Sequence, residues 1–176
     1  MISAQDFKAG MRRLPAAVTI VACRLNGVSY GLTATAVCSL SSGPPSLVAC
    51  VNRDASAHHA IVETKSFCVN ILPHDRVDLA KLFASSRPED RARRFAGDDW
   101  GVLTTGAPVL KDAIVAFDCT LDQFVDYATH TILIGQVQDM QLGSPTKHLM
   151  YIAGDFADLA AGTATIQTVQ TQPDRK

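Results

Sequence analysis

At 176 residues, with 47% hydrophobic and 19% charged residues, the chain is sized for one domain with a sizeable core, and its balance argues against disorder. A formal charge of −1 and a pI near 6.5 give no electrostatic case for nucleic acid or an anionic membrane. No basic-hydrophobic leader opens the sequence, and no apolar run approaches the roughly 20 residues of a membrane helix. The expected location is the cytoplasm, with no membrane partner.

In chain order, residues 3–14 predict a short amphipathic helix, with Phe7, Met11 and Leu14 at helical spacing and Pro15 as its stop. Residues 16–25 are apolar and β-prone. Asn26-Gly27 is the strongest short hairpin signal, and residues 28–41 return as the second strand. Strands are expected at 46–51 and 67–72, with helices at 54–64 and 75–84. Residues 85–99 carry Arg87, Arg91, Arg93 and Arg94 among few apolar positions and predict a solvated loop or short polar helix. Residues 100–109 are turn-rich. Two long strands follow, 115–125 and 131–140, then a last strand at 149–153 and a polar Thr/Gln tail from residue 162. Many strands with few, short helices argue for a mainly β antiparallel barrel over a doubly wound sheet.

Within the second strand, Thr33, Thr35, Ser39 and Ser41 share one parity, so on a regular strand they share one face. A hydroxyl row needs polar partners. Either a polar, ring-bearing ligand lies along it or the face is open to water. The five cysteines, Cys23, Cys38, Cys50, Cys68 and Cys119, form no C-x-x-C pair and read as buried, reduced thiols in apolar strands. No metal-ligand spacing is present: His58 and His59 are adjacent and point about 100° apart on a helix. G-x-G-x-x-G is absent, which argues against a Rossmann dinucleotide domain, and the Walker loop and G-x-S-x-G are absent as well.

An ordered set of pieces carries a resemblance. These are Phe7…Gly10-Met11…Pro15 to Val21, Gly31-Leu32-Thr33-Ala34-Thr35-Ala36, Ser39-Leu40-Ser41 before Pro44-Pro45, and Asn52…Ala55-Ser56. They continue with Phe67 to Leu72, Leu79-Ala80…Phe83-Ala84, Arg94-Phe95, His130…Ile134-Gly135 and Tyr151…Gly154. Their order, from Phe7 to Phe156, resembles the flavin reductase family, whose members supply reduced flavin to two-component monooxygenases. The resemblance implies an FMN-binding split β-barrel, antiparallel and Greek-key-like with a few short helices, over residues 1–162, followed by a polar tail at 163–176. It implies a homodimer with the flavin near the subunit interface, and a monooxygenase component as partner.

The activity implied is that of an NAD(P)H:flavin oxidoreductase of the EC 1.5.1 type, with FMN or FAD as flavin and NADH or NADPH as co-substrate. By the same resemblance, Thr33, Ala34, Thr35 and Ala36 would run under the flavin ring, and Ser39 and Leu40 would continue that site. Cys50, Val51 and Asn52 would flank it from the next strand. Ser56 would hold the phosphate at a helix start. Phe83 and Ser85 would close over the ligand, Tyr151 would line the nicotinamide side, and His130 is the catalytic candidate. The family often shows Gly-Asp before that histidine; here Ala128-Thr129 stand there. Three other readings stay open: a pyridoxamine-phosphate-oxidase-like enzyme, a non-catalytic flavin-binding electron carrier, and a same-family reductase acting on a corrin or metal complex.

Overall fold

The computed structural model describes residues 1–144 and 147–159. The expected polar tail at 163–176, and the domain boundary at 162, lie outside the described residues. Among the described residues, twelve strands and four helices are formed, and every strand pair is antiparallel.

Helix α1 (Ala4–Met11) starts under Ser3, whose hydroxyl oxygen accepts from the Asp6 N–H. None of its residues is buried. The β-prone run that follows divides into β1 (Ala16–Ala17) and β2 (Thr19–Leu25). Asn26 and Gly27 take positive φ (51° and 79°), which a two-residue hairpin turn of matching twist requires. They lead into β3 (Val28–Ala34).

The single strand expected at 28–41 is two strands. Thr35 and Ala36 leave the ladder, and β4 (Val37–Ser42) pairs with β5 (Pro45–Asn52) instead of β2. Helix α2 (Ser56–Thr64), β6 (Ser66–Ile71) and helix α3 (Val77–Ala84) follow as expected. The charged stretch forms helix α4 (Pro88–Arg93), and the turn-rich stretch forms the two-stranded ribbon of β7 (Trp100–Val102) and β8 (Pro108–Leu110). The two long strands are β9 (Val115–Tyr127) and β10 (His130–Leu142), turned by Ala128 at φ 49°. β11 (His148–Ile152) is joined by β12 (Asp155–Leu159), which the sequence did not announce.

The main sheet runs β3-β2-β6-β9-β10-β5-β4. Its two edge strands are consecutive in the chain, so the corner at Thr35–Ala36 closes the sheet toward a barrel. The Cys50 N–H donates to the Ala36 carbonyl there at 2.9 Å. Strands buried on both faces read as continuous apolar runs, and β2 has that character. Val21 and Cys23 enter the barrel interior with Leu47, Val51, Phe67 and Leu133, and Ala57 and Ile61 of α2 plug one end. Ile20 and Ala22 face outward into a second core with Leu72, Ala80, Phe83, Leu110 and Leu149. Buried Asn70 ties that outer layer down, accepting from the Leu110 N–H at 2.8 Å and donating to the Ile20 and Pro108 carbonyls.

The cysteines depart from the expected uniform burial: Cys23, Cys68 and Cys119 are buried, Cys50 is half-buried and Cys38 is exposed. The break at residues 35–36 explains this, because it puts β4 at the sheet's outer edge. Burial pushes the Cys23 and Cys119 thiols up to about 12 and Cys68 further; burial and the nearby Cys38 also raise Cys50. The thiolate is the reactive form. In the native protein at neutral pH, one thiol (Cys38) should therefore react quickly with an aromatic disulfide reagent and Cys50 slowly. The other three should react only in denaturant. Three or more fast thiols would contradict this packing.

Candidate functional site

β3 alternates its side chains. Tyr30, Leu32 and Ala34 contribute to the barrel interior, while Gly31 and Thr33 face outward toward α3. The Thr33 hydroxyl is already engaged, donating to the Ala80 carbonyl at 2.7 Å, so it anchors α3 beside the strand. A groove opens between this outward face and the end of α3, in two joined lobes that share Thr33, Ala84 and Ser85.

The first lobe, about 470 Å³, is lined by Thr33, Ala34, Thr35, Ala84, Tyr151 and Phe156 among others. Small side chains form its floor, and Tyr151 packs edge-on to Phe156 at 5.5 Å between centroids. The second lobe, about 350 Å³, is polar and is lined by Asn52, Asp54, Ser56, Ser85, Arg91 and Arg94 among others. Asn52 Oδ1 accepts the Asp54 N–H at 2.9 Å, which turns the chain from β5 into α2. Helix α2 begins after Ala55, which offers no side-chain cap. The His58 N–H is bonded back to the Ala55 carbonyl at 2.9 Å, while the helix start at Ser56, without a side-chain cap, borders the same lobe as Arg91 and Arg94, an arrangement that favours an anion.

Arg94 was expected in solvent with its neighbours; it is 6% exposed. It donates to the carbonyls of Gly31 (2.8 Å), Leu82 (3.2 Å) and Ser85, and its guanidinium sits 5.5 Å from the Phe83 ring centroid. Burial and the like charge of Arg91 lower its pKa. No carboxylate among the described residues lies within 4 Å of it, so its charge is left to the lobe it borders. The signal in the sequence was slight: an arginine beside Phe95 at the end of a charge run. Phe83 is 1% exposed. It closes the polar lobe from beneath and is held by Phe95 and Trp100 at 5.1 and 5.6 Å.

Of the residues singled out from sequence, Thr33, Ala34, Thr35, Asn52, Ser56, Phe83, Ser85 and Tyr151 line the joined groove. Ser39 lies elsewhere, lining an apolar cavity of about 540 Å³ with Val37, Leu47, Val137 and Met140. The hydroxyl row is therefore divided at the 35–36 corner. Leu40 is exposed on β4, and the Val51 side chain is fully buried in the barrel interior. Cys50 is half-buried and Ala36 lies at the corner, where its carbonyl accepts from Cys50.

His130 stands at the first position of β10, in register with Asn52 of β5. It is exposed, and its Nδ1 is 2.9 Å from the Thr129 hydroxyl. A chain of bonds secures this hairpin end. The buried Thr131 hydroxyl donates to Asp126 at 2.6 Å and so must accept from His58 Nε2 at 2.7 Å, which fixes the His58 tautomer. Arg53 approaches the same carboxylate at 3.8 Å. Sequence spacing had dismissed His58 as half of a poor metal pair; its structural partner is 73 residues away. No group of three or more metal-ligating side chains occurs among the described residues. None of the described helices is long and apolar enough to cross a membrane.

Residues 11–160 match the family described as the flavin reductase like domain. An Agrobacterium fabrum protein named FMN reductase (NADH) RutF is 44% identical over 146 residues, covering 83% of each chain. A Methylorubrum extorquens protein named FMN reductase (NADH) RutF 2 is 43% identical over 150 residues, 85% of this chain and 86% of its own. Among solved structures, the flavin reductase component of a bacterial two-component tryptophan halogenase, BorF, superposes with a TM-score of 0.84 at 28% identity, covering 91% of this chain and 100% of its own. With a split antiparallel barrel, a two-lobed groove on its outer face and a family match over nearly the whole fold, this chain belongs to the flavin reductase family.

Proposed function

We propose that the protein is an NAD(P)H-dependent flavin reductase that passes hydride from a nicotinamide to FMN or FAD and supplies the reduced flavin to a partner monooxygenase. The observation that carries this reading is the groove itself. One end joins an uncapped helix start to two arginines, and the other is a slot floored by Thr33, Ala34, Thr35 and Ala84. The first suits a phosphate, and the second a flat ring that must approach the backbone closely.

A bound flavin would supply the redox chemistry as hydride acceptor. The chain supplies placement. Ser56, Arg91 and Arg94 would hold the anionic end, while Thr35 and Ala84 would leave room for the ring. Tyr151 and Phe156 form the apolar side against which a second ring is oriented. Fixing two rings at reacting distance turns a bimolecular encounter into a nearly unimolecular step. The 1.5.1 sub-class is part of the same proposal.

A homodimer belongs to the same proposal. Phe7 and Met11 of α1 and Leu14 just beyond it are 49–60% exposed, and Phe124, Val125 and Tyr127 of the β9–β10 arm are uncovered as well. Apolar surface left open in this way supports a second copy as its cover.

The direct test is anaerobic mixing of the protein with NADH or NADPH and FMN or FAD, following nucleotide absorbance. Flavin-dependent oxidation is expected. Tight flavin binding with no nucleotide oxidation would replace this reading with that of an electron carrier. Light scattering showing only monomer at full activity would remove the dimer.

His130 is proposed to contact the nicotinamide nucleotide from the hairpin end. Replacing it by alanine should lower kcat/KM for NADH by roughly 5- to 150-fold, the loss of one hydrogen bond worth about 1–3 kcal/mol, with flavin affinity nearly unchanged. A lower melting temperature with unaltered kcat/KM would reduce His130 to a packing residue.

A further inference from the structure

Thr131 carries a hydroxyl where an apolar side chain would fit. It is fully buried and shares its parity on β10 with Leu133, a residue of the barrel interior. A valine there would fill the same space and need no polar partner. Instead both roles of the hydroxyl are used: it donates to Asp126 at 2.6 Å and accepts from His58 at 2.7 Å. Its two partners lead to the two ends of the proposed reaction. His58 belongs to the first turn of α2, two residues after Ser56, which lines the polar lobe. Asp126 stands opposite Thr131 in the register, and the turn at residues 127–129 that delivers His130 lies between them. That turn is tied to the β5–α2 connection at two further points. The Arg53 N–H donates to the Thr129 carbonyl at 3.0 Å, and Asn52, which lines the polar lobe, is in register with His130. The helix start and the hairpin end thus form one framework, with Thr131 as its buried joint.

We infer that Thr131 is a positioning residue, whose hydroxyl couples the start of α2, where the flavin's phosphate is held, to the hairpin turn that places His130. The inference rests on the reductase reading and names the link between its two binding ends. A phosphate drawn to the start of α2 bears on His58, and through Thr131 on the hairpin. The flavin's phosphate and the nicotinamide nucleotide therefore favour each other's binding, and by linkage the effect is mutual.

The test compares flavins with and without the phosphate. In calorimetric titrations of the flavin-free protein, Thr131→Val should bind FMN about 5-fold more weakly and riboflavin less than twofold more weakly, as for the loss of one buried hydrogen-bonded link. With FMN as acceptor, KM for NADH should rise about 5-fold and kcat should change less than twofold. Thr131→Ser, which keeps the hydroxyl, should restore both. A change that only loosened the fold would weaken both flavins alike. His58→Leu breaks the same link from the helix side and should reproduce the pattern, so the test stands even if Thr131→Val does not fold. In a His130→Ala background, either substitution should add less than twofold to KM for NADH, since one residue acts through the other.

A spectroscopic readout needs no ligand: nitrogen-15 resonances should show neutral His58 protonated at Nε2 in the wild type. A wild-type His58 protonated at Nδ1, equal losses with FMN and riboflavin, an unaltered KM for NADH, or additive effects with His130→Ala each overturn the inference. A wild type that shows the FMN pattern yet oxidises no nucleotide would sink the reductase reading and leave the link from Thr131 to the helix start standing.

Discussion

Replacing Arg94 by methionine is expected to lower stability by about 3–5 kcal/mol and to weaken FMN binding with it. Methionine preserves much of the apolar stem while removing every donor. Three carbonyls, on Gly31, Leu82 and Ser85, then lose their partner in a site where Arg94 itself is 6% exposed. Each buried, unpaired carbonyl costs about 1–3 kcal/mol, and the three do not simply add because the segment relaxes. The bonds also fasten the end of α3 to β3, which are the two walls of the groove, so the fold loss and the binding loss share a cause. Lysine should recover little, since one ammonium cannot reproduce a planar fork aimed at three acceptors. Urea unfolding with an unchanged m-value reads the stability, and for a chain of this size the melting point should drop by roughly 10 °C. A loss below about 1 kcal/mol would mean that water replaces the guanidinium, and the account of the groove wall would fail.

Arg94 also marks where the sequence stopped being legible. The core strands were readable because β2 and β6 are buried on both faces, and nothing except a strand accommodates such short, continuous apolar runs. The Asn26-Gly27 turn was readable because its positive φ values select those residues. The break at Thr35–Ala36 was not, since no glycine or proline marks it and the parity of Thr33, Thr35 and Ser39 runs straight across. That break is tertiary: it is the corner at which one sheet edge is exchanged for the other. Strand β12 pairs along one side with β11 through mostly exposed residues, so it carries almost no hydrophobic signature. In the charged run, four arginines look alike by composition, and only contacts 9 to 63 residues distant separate Arg94 from the rest. The groove's floor was visible as small residues on one strand, whereas its anionic end required α2, α3 and α4 to converge.

That convergence can be tested at Phe83, where replacement by alanine should cost about 3–5 kcal/mol, the range for removing a fully buried aromatic ring. The ring is 1% exposed, and it meets Phe95 edge-on at 5.1 Å, Trp100 at 5.6 Å and the Arg94 guanidinium at 5.5 Å. On its remaining side is Gly31, where a Cβ would stand 2.7 Å from Phe83 Cε1 and 3.1 Å from Phe95 Cζ, a ring edge that can shift once Phe83 is removed. That contact predicts a change of sign. In the wild-type background, Gly31→Val overpacks the site and should destabilise by about 1–3 kcal/mol. In the Phe83→Ala background the same valine enters vacated space on a β-strand that suits it, and should be neutral or stabilising. Urea titrations of the four proteins give the coupling, expected to exceed about 1 kcal/mol, as residues in direct contact allow. Additive losses would show that Gly31 is small for another reason, close approach of a ligand being the first to examine. FMN binding by the Gly31→Val variant would then decide it, because a loss of affinity larger than that of an equally destabilised Phe83→Ala variant places the ligand against β3.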